Sequence, residues 1–241
     1  MEFRWVISQG NRKPYSDFVE RHKSHSIVKE RIDRNLKHID VAISKGRFWR
    51  ALVGCLLTTQ QRSGPSSRVA IFLNTDDPVL DFDYCSTAKN LPKIVEETLS
   101  KNGLRRTERI ADEIDLAVSW LKQNGWSAVK SQLDLISSHT SAKKERSVAR
   151  FLQEHFKGIG PKQSRNLIQW MGLSKYEIPL DSRMVKVLRE LQFPVPLSAI
   201  ALADEHYYCF IEDGIQKLMA EIGVYPCVFD ACAFASFESN A

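Results

Sequence analysis

The stretch that decides the fold runs from Phe156 to Asp181. It reads Phe-Lys-Gly-Ile-Gly-Pro-Lys-Gln-Ser-Arg-Asn-Leu-Ile-Gln-Trp-Met-Gly, then a short link, then Ile-Pro-Leu-Asp. Gly158 and Gly160 separate two apolar periodic segments, and glycine permits positive φ and the close approach of another backbone or a phosphate. Pro161 cannot continue the preceding helix, but it suits the first turn of the next one. This stretch therefore predicts two helices joined by a tight glycine hairpin.

The second helix of the hairpin is predicted from Pro161 to Met171, with Gly172 after its C-terminus. The hairpin amides and the helix N-terminus form a natural seat for a phosphate. Lys162 lies in the first turn, where the helix dipole disfavours a cation and partial desolvation lowers a lysine pKa. An amine with a lowered pKa is nucleophilic near neutral pH.

Asp181 follows Lys162 by 19 positions (181 − 162 = 19). It occupies the N-cap position before a helix whose apolar positions are Met184, Val185, Leu188 and Leu191. Each feature also has a plain structural interpretation, because Gly-x-Gly is often only a turn, a first-turn lysine is usually solvated, and an aspartate before a helix is usually a cap. The cap role and a catalytic role of Asp181 are compatible.

The hairpin Gly158-Ile159-Gly160-Pro161-Lys162, followed by Ile178-Pro179-Leu180-Asp181, resembles the helix-hairpin-helix base-excision DNA glycosylases. It is most similar to the 8-oxoguanine glycosylase/lyase branch. The resemblance implies that the hairpin grips the DNA backbone, that Lys162 is the lysine of members that also nick the strand, and that Asp181 is the shared catalytic acid. It covers roughly residues 47–191.

The same resemblance implies further site residues. Leu56-Leu57-Thr58-Thr59-Gln60 looks like the family segment whose amide fills the gap left by a flipped base, so Gln60 and Gln61 are candidates. An aromatic residue of the C-terminal helix often stacks on that base, which makes Phe229 and Phe234 candidates for the base pocket, although most such residues belong to the core. The basic start of another helix, Arg105-Arg106, corresponds to a loop that meets phosphates in the family.

Basic residues also gather around the hairpin in the sequence, and Arg165 and Arg183 are the DNA-contact candidates among them. The set comprises Lys143, Lys144, Arg146, Arg150, Lys157, Arg165, Arg183 and Lys186. This clustering favours a DNA footprint more than the modest net charge of +5 does. The sequence thus predicts double-stranded DNA, carrying a damaged base or an abasic site, as the partner of a monomer.

Composition excludes several other classes. The chain of 241 residues has 43% hydrophobic and 26% charged residues, which is ordinary for a soluble globular protein. No apolar run approaches membrane-spanning length and the N-terminus lacks a signal-peptide core, so we expect an intracellular protein, in a prokaryotic cytoplasm or a nucleus. The five cysteines lack Cys-x-x-Cys spacing, which predicts free buried thiols and neither a metal nor another cofactor.

Apolar periodicity predicts helices along most of the chain and no strands, so the fold class is all-α. We expect an irregular segment over residues 1–26, a helix from Ile27 ended by Gly46, and a buried helix from Phe48 to Thr59. The family layout implies two lobes with the hairpin and Asp181 at the cleft between them. The central lobe comprises residues 46–172, and the terminal lobe residues 1–45 and 173–241.

The favoured function is therefore a bifunctional glycosylase that excises a damaged base, 8-oxoguanine first, and nicks the abasic strand through a lysine Schiff base. Oxidised pyrimidines are the alternative substrates. A non-catalytic DNA-binding module with the same hairpin and a helical protein–protein module are the alternative functions. The sequence names neither the lesion nor the base opposite it.

Overall fold

The computed structural model describes residues 4–38, 41–61, 64, 66–137 and 139–238. All regular structure in these ranges is helical, which confirms the predicted all-α fold class. The α-helices are α1 (Gln9–His22), α2 (Ser26–Arg31), α3 (Lys45–Leu57), α4 (Arg68–Leu73), α5 (Phe82–Thr87), α6 (Leu91–Lys101), α7 (Thr107–Trp120), α8 (Trp126–Ser137), α9 (Ala142–His155), α10 (Pro161–Trp170), α11 (Ser182–Glu190), α12 (Glu205–Glu221) and α13 (Pro226–Ala235).

The central lobe has its own hydrophobic core, built from α3 to α10. Its buried side chains run from Phe48 to Leu173 along the chain, and Val41 and Ile43 pack against them. At its centre lies α3, in which every residue from Phe48 to Leu57 except Arg50 is buried. The prediction of a buried helix in this region is confirmed.

The terminal lobe joins both ends of the chain around a second core. Its buried side chains come from 15–28 and from 178–235, that is, from α1, α2 and α11 to α13. The chain leaves this lobe after α2, builds the central lobe, and returns just after the hairpin helix α10. No single helix among the described residues is long and apolar enough to cross a membrane; α12 and α13 reach that size only together, bent by 96°.

The prediction of an irregular segment over residues 1–26 is wrong, because α1 lies within it. Ser8 starts this helix, because its side chain accepts from the N–H of Asn11 while the Asn11 side chain accepts from the N–H of Ser8. Tyr15, Phe18 and Val19 form a buried stripe on an otherwise polar helix. The polar composition hid this stripe, although its spacing is helical.

The predicted stop at Gly46 is also wrong. Gly46 lies in the first turn of α3, which Ser44 caps by accepting the Arg47 N–H at 3.2 Å. The preceding helical segment ends at Leu36 instead. The prediction that the five cysteines are free, buried thiols is confirmed.

Gly54 controls how closely α3 approaches the end of α10. A Cβ at Gly54 would lie 2.3 Å from Cζ3 of Trp170, so a side chain would push the two helices apart. Gly46 lies in the same helix, yet a Cβ there would meet nothing within 4 Å.

We therefore expect Gly54→Ala to lower the free energy of unfolding by about 1–3 kcal/mol, the usual effect of overpacking a core. Gly46→Ala is the matched control and should raise it, by up to about 1 kcal/mol, because alanine favours a helix. Urea unfolding measures both. A Gly54→Ala protein as stable as the wild type would show that Trp170 moves freely.

Candidate functional site

The hairpin that joins α9 to α10 is shaped by Gly158. Its φ is +87°, a left-handed conformation that side chains with a Cβ rarely adopt. A Cβ there would also lie 2.5 Å from the carboxyl carbon of Glu113. Glu113 is buried, and Arg109 holds its carboxylate through Nε at 2.9 Å. Both conformation and space therefore require glycine at this position.

Gly160 and Ile159 have different roles in the hairpin. Gly160 is the N-cap residue of α10, and a Cβ there would meet nothing within 4 Å. No described side chain caps this helix, so its first N–H groups keep the partial positive charge of a helix end. Ile159 instead buries its side chain in the central core, and its N–H donates to the Phe156 carbonyl at 3.1 Å. The open part of the hairpin is therefore the backbone at Gly160.

Lys162 lies in the first turn of α10, where it was predicted. Burial lowers its pKa and the charge of Arg183 adds to this effect, while the carboxylate of Asp181 opposes it. Its Nζ lies 3.4 Å from Oε1 of Gln163. A lowered pKa makes the free amine available at a lower pH than for an ordinary lysine.

Asp181 uses its two carboxylate oxygens differently. Oδ1 accepts from the backbone N–H groups of Arg183 and Met184, both at 2.9 Å, and so caps α11. Oδ2 accepts from Nη2 and Nε of Arg183 at 3.0 and 3.1 Å. The same guanidinium lies over the ring of Phe234, 4.0 Å from its centroid. One oxygen of Asp181 thus caps α11, and the other is bound by Arg183, which also lines the cavity.

Lys162 and Asp181 line one cavity of about 270 Å³ between the two lobes. The central lobe contributes Thr58, Lys162, Asn166, Gln169 and Trp170. The terminal lobe contributes Ile27, Glu30, Arg31, Arg34, Pro179, Asp181, Arg183, Asp230 and Phe234. A larger depression, of about 690 Å³, is lined by α1 alone and includes none of the candidate residues. The smaller and less open cavity is therefore the candidate site.

A second carboxyl group, that of Asp230, lies in this cavity beside the first. Burial raises its pKa and the charge of Asp181 raises it further, while Arg31 opposes both. Nη1 of Arg31 lies 2.7 Å from Oδ2 of Asp230. Burial also lowers the pKa of Arg34 to about 10. The cavity therefore presents acidic and basic hydrogen-bonding side chains next to the ring of Phe234.

Two predicted site residues prove to be structural. Arg165 was expected to contact DNA, but its side chain is fully buried and bound by Glu177, Glu205 and Glu212 at 2.8–3.2 Å. Phe229 was expected to line the base pocket, but it is fully buried against Tyr15 and Phe18 in the terminal core. These are corrections, and Phe234 is the aromatic residue of α13 that reaches the cavity.

The two glutamines in the loop that follows α3, Gln60 and Gln61, have different environments. The Gln61 side chain is bound on both sides, since its Nε2 donates to the Leu57 carbonyl at 2.9 Å and its Oε1 accepts the Arg105 N–H at 2.8 Å. Gln60 is exposed, with a left-handed φ of +58°. Gln60 is thus free to contact a ligand, whereas Gln61 holds two loops together.

The paired arginines at the start of α7 also differ. The side chain of Arg106 is mostly buried, with Nη1 donating to the Thr59 carbonyl at 3.4 Å and Nη2 lying 3.9 Å from Glu113. Of this pair only Arg105 has an exposed side chain.

Several cavity residues were missed from the sequence. Asn166 and Gln169 follow Lys162 at helical spacing on one face of α10, and Asp230 precedes Phe234 by one turn of α13. Once Lys162 and Phe234 are selected as site residues, helical spacing identifies the other residues on the same helix faces. Arg31 and Arg34 come from a distant segment, and no local pattern connects them to α10.

Solved structures of known proteins share this fold. The Methanocaldococcus jannaschii 8-oxoguanine glycosylase/lyase, in complex with a 15mer DNA containing 8-oxoguanine, aligns with a TM-score of 0.67 and 18% identity over 92% of this chain and 96% of its own. The 8-oxoguanine DNA glycosylase of Thermotoga maritima aligns with 0.68 and 16%, over 95% and 98%. A further structure of the M. jannaschii 8-oxoguanine DNA glycosylase gives 0.61 and 19%, over 94% of each chain.

No family model and no curated protein matches the chain. The structural alignments nevertheless show that the chain has the fold of these archaeal and bacterial 8-oxoguanine glycosylases. The resemblance inferred from the hairpin is confirmed at the level of the fold.

The geometry of Gly160 yields a test of the phosphate seat. Aspartate and asparagine cap helices equally well, so both Gly160→Asp and Gly160→Asn should keep the wild-type melting temperature. Only the aspartate brings a negative charge to the seat, and we expect it to weaken binding of an undamaged duplex by about tenfold more than asparagine does. Fluorescence anisotropy at fixed salt measures this. Equal binding by the two variants would mean that no phosphate lies there.

The environment of Lys162 predicts its titration. We expect its pKa to lie below the ordinary value of 10.5. Because the charge of Asp181 favours the protonated amine, Asp181→Asn should move this pKa further down. NMR titration of ¹³C-labelled lysine side chains gives both values, with the resonance assigned by its loss in Lys162→Gln. An unchanged or higher pKa in Asp181→Asn would show that the charge of Asp181 does not stabilise the protonated amine of Lys162.

Proposed function

We propose that this chain is a DNA glycosylase with AP-lyase activity, which excises a damaged base and nicks the strand that contained it. The observation that carries the proposal is the joint placement of Lys162 and Asp181 in one cavity, directly behind the open backbone of the hairpin. Phosphate binding alone needs neither a desolvated lysine nor a carboxylate. The fold shared with 8-oxoguanine glycosylases supports the same class of reaction.

Binding begins at the backbone of damaged duplex DNA. The N-terminus of α10 at Gly160 receives a phosphate, and the exposed side chains of Arg105 and Gln60 flank the duplex. The damaged nucleotide leaves the stack and enters the cavity, and Gln60 fills the gap that it leaves. The ring of Phe234 and the polar groups of Asn166 and Asp230 suit a planar base with hydrogen-bonding edges.

The chemistry then follows from the two candidate catalytic residues. The neutral amine of Lys162 attacks C1′ of the sugar, the glycosidic bond breaks, and the base leaves with its bonding electron pair. The carboxylate of Asp181 stabilises the positive charge that develops on the sugar. The attached amine loses a proton and the departing base gains one, and the sugar ring then opens as its oxygen takes up a proton, which gives a protonated Schiff base on Lys162. Loss of a proton from C2′ then breaks the C3′–O bond, and the 3′ phosphate leaves with the bonding electron pair. No metal or other cofactor takes part in these steps.

The substrate that we favour is 8-oxoguanine, because the hairpin sequence resembles that branch and the fold shared with 8-oxoguanine glycosylases supports the choice. Oxidised pyrimidines remain the alternative. We propose that the protein acts as a monomer on duplexes with either a damaged base or an abasic site.

The test uses Lys162→Gln together with the control Lys157→Gln, which alters the exposed lysine of the same hairpin. Duplexes with 8-oxoguanine or thymine glycol are scored separately for base release, nicking and covalent trapping by borohydride. We expect the wild type and Lys157→Gln to release 8-oxoguanine and to be trapped. Lys162→Gln should bind the duplex without release or trapping.

Two outcomes would contradict the proposal. Nicking and trapping by Lys162→Gln at the wild-type rate would remove Lys162 as the nucleophile. A wild-type protein that binds duplexes tightly but releases no base and forms no adduct would be a non-catalytic DNA-binding module. Release of thymine glycol alone would retain the mechanism and change the substrate.

A further inference from the structure

The backbone that leads into Asp181 is held by two side chains of α12. The N–H of Leu180 donates to the Tyr208 hydroxyl at 2.6 Å, and that hydroxyl donates to the Ile178 carbonyl at 2.9 Å. The N–H of Ile178 donates to Oε1 of Glu212 at 2.9 Å. Tyr208 and Glu212 are one helical turn apart, so both bonds come from one face of α12.

These contacts lie away from water. Tyr208 and Glu212 are fully buried, and the side chains of Ile178 and Leu180 are nearly so. A buried backbone N–H or carbonyl that loses its partner is left unsatisfied, because water cannot replace it without rearrangement. The segment therefore has one well-defined position relative to α12.

The same face of α12 reaches the helix that carries Lys162. Oε2 of Glu212 lies 3.2 Å from Nη2 of Arg165, and the Arg165 guanidinium lies 4.9 Å from the centroid of the Tyr208 ring. Arg165 follows Lys162 by three residues on α10. Thus α12 contacts both the segment that ends at Asp181 and the helix that begins at Lys162.

The surroundings of the Glu212 carboxyl group oppose its ionisation. Burial and the neighbouring charge of Glu177 raise its pKa well above the ordinary value. Burial opposes the ionisation of Glu177 as well, but a hydrogen bond from Glu212 and the charges of Arg165 and Arg146 outweigh it and lower the pKa of Glu177. Glutamine at position 212 is therefore a close replacement, because it has the same length and keeps an oxygen that can accept the Ile178 N–H.

We infer that Tyr208 and Glu212 are positioning residues that set Asp181 relative to Lys162 through the backbone of residues 178–180. This inference rests on the proposed function, in which both residues act on one sugar. A displacement of about 1 Å between reacting groups can lower a rate by about a hundredfold, so loss of the hydroxyl should slow the reaction without weakening DNA binding.

The main test compares Tyr208→Phe with Tyr15→Phe. Tyr15 is also buried in the terminal core, and its hydroxyl has no hydrogen-bond partner among the described residues. On an 8-oxoguanine duplex, we expect Tyr208→Phe to slow single-turnover base release by about tenfold or more, with unchanged affinity for a duplex that carries a tetrahydrofuran abasic analogue. Tyr15→Phe should match the wild type in both. A Tyr208→Phe protein with the wild-type rate would overturn the inference.

A second pair covers the case in which Tyr208→Phe does not fold. Glu212→Gln keeps an acceptor for the Ile178 N–H and should retain the wild-type rate. Glu212→Met has a similar length but no such acceptor, and it should be slow. Wild-type rates in both variants would overturn the inference.

Hydrogen exchange separates this inference from the proposed function. The amides of Ile178, Leu180 and Asp181 should exchange faster in Tyr208→Phe than in the wild type, and at the wild-type rate in Tyr15→Phe. A wild-type protein that releases no base would end the proposed function, and the exchange result would then decide whether α12 holds the segment. Equal exchange in Tyr208→Phe and the wild type would show that it does not.

Discussion

The turn at Gly158 is the constraint on which the site depends. Its left-handed φ and the Glu113 carboxylate beneath it leave no room for a side chain, so the chain reverses sharply and α10 begins at Pro161. The orientation of α10 follows from this turn. One face of α10 then lines the cavity through Lys162. Arg165 of the same helix instead binds a carboxylate of α12, that of Glu212. A single helix thus connects the open backbone of the hairpin, the candidate nucleophile and the contact between the lobes.

Charge is distributed differently in the folded protein than along the sequence. Arg146, Arg150 and Arg165 count toward the basic cluster near the hairpin, yet each forms an ion pair with glutamates or aspartates of the terminal lobe. These ion pairs therefore join the two lobes. In the proposed function, DNA would therefore meet the helix N-terminus at Gly160 and exposed residues such as Arg105, which form a smaller basic surface than the sequence suggests.

Local patterns predicted much of the molecule. The hairpin, the buried helix α3, the start of α10 and the cap at Asp181 all depend on residues within a few positions of one another, and the structure has them. The burial of Arg165 and Phe229 could not be predicted, because their partners lie on α1, α12 and the segment before α11. Helical spacing tells which residues share a face, but not whether that face meets solvent or another lobe. The Arg31–Asp230 pair in the cavity was missed for the same reason.

The two roles of Asp181 follow from the geometry of its carboxylate. Since Oδ1 is committed to the N–H groups at the start of α11, the side chain cannot rotate without leaving those donors unsatisfied. Oδ2 is therefore held in one direction, and in this structure Arg183 is its partner there. Arg183 in turn lies over Phe234, so a base that stacks on this ring must displace the guanidinium. In the proposed reaction, entry of the base would thus release Oδ2 from Arg183 as the sugar arrives, and the cap would keep the carboxylate aimed at the developing charge.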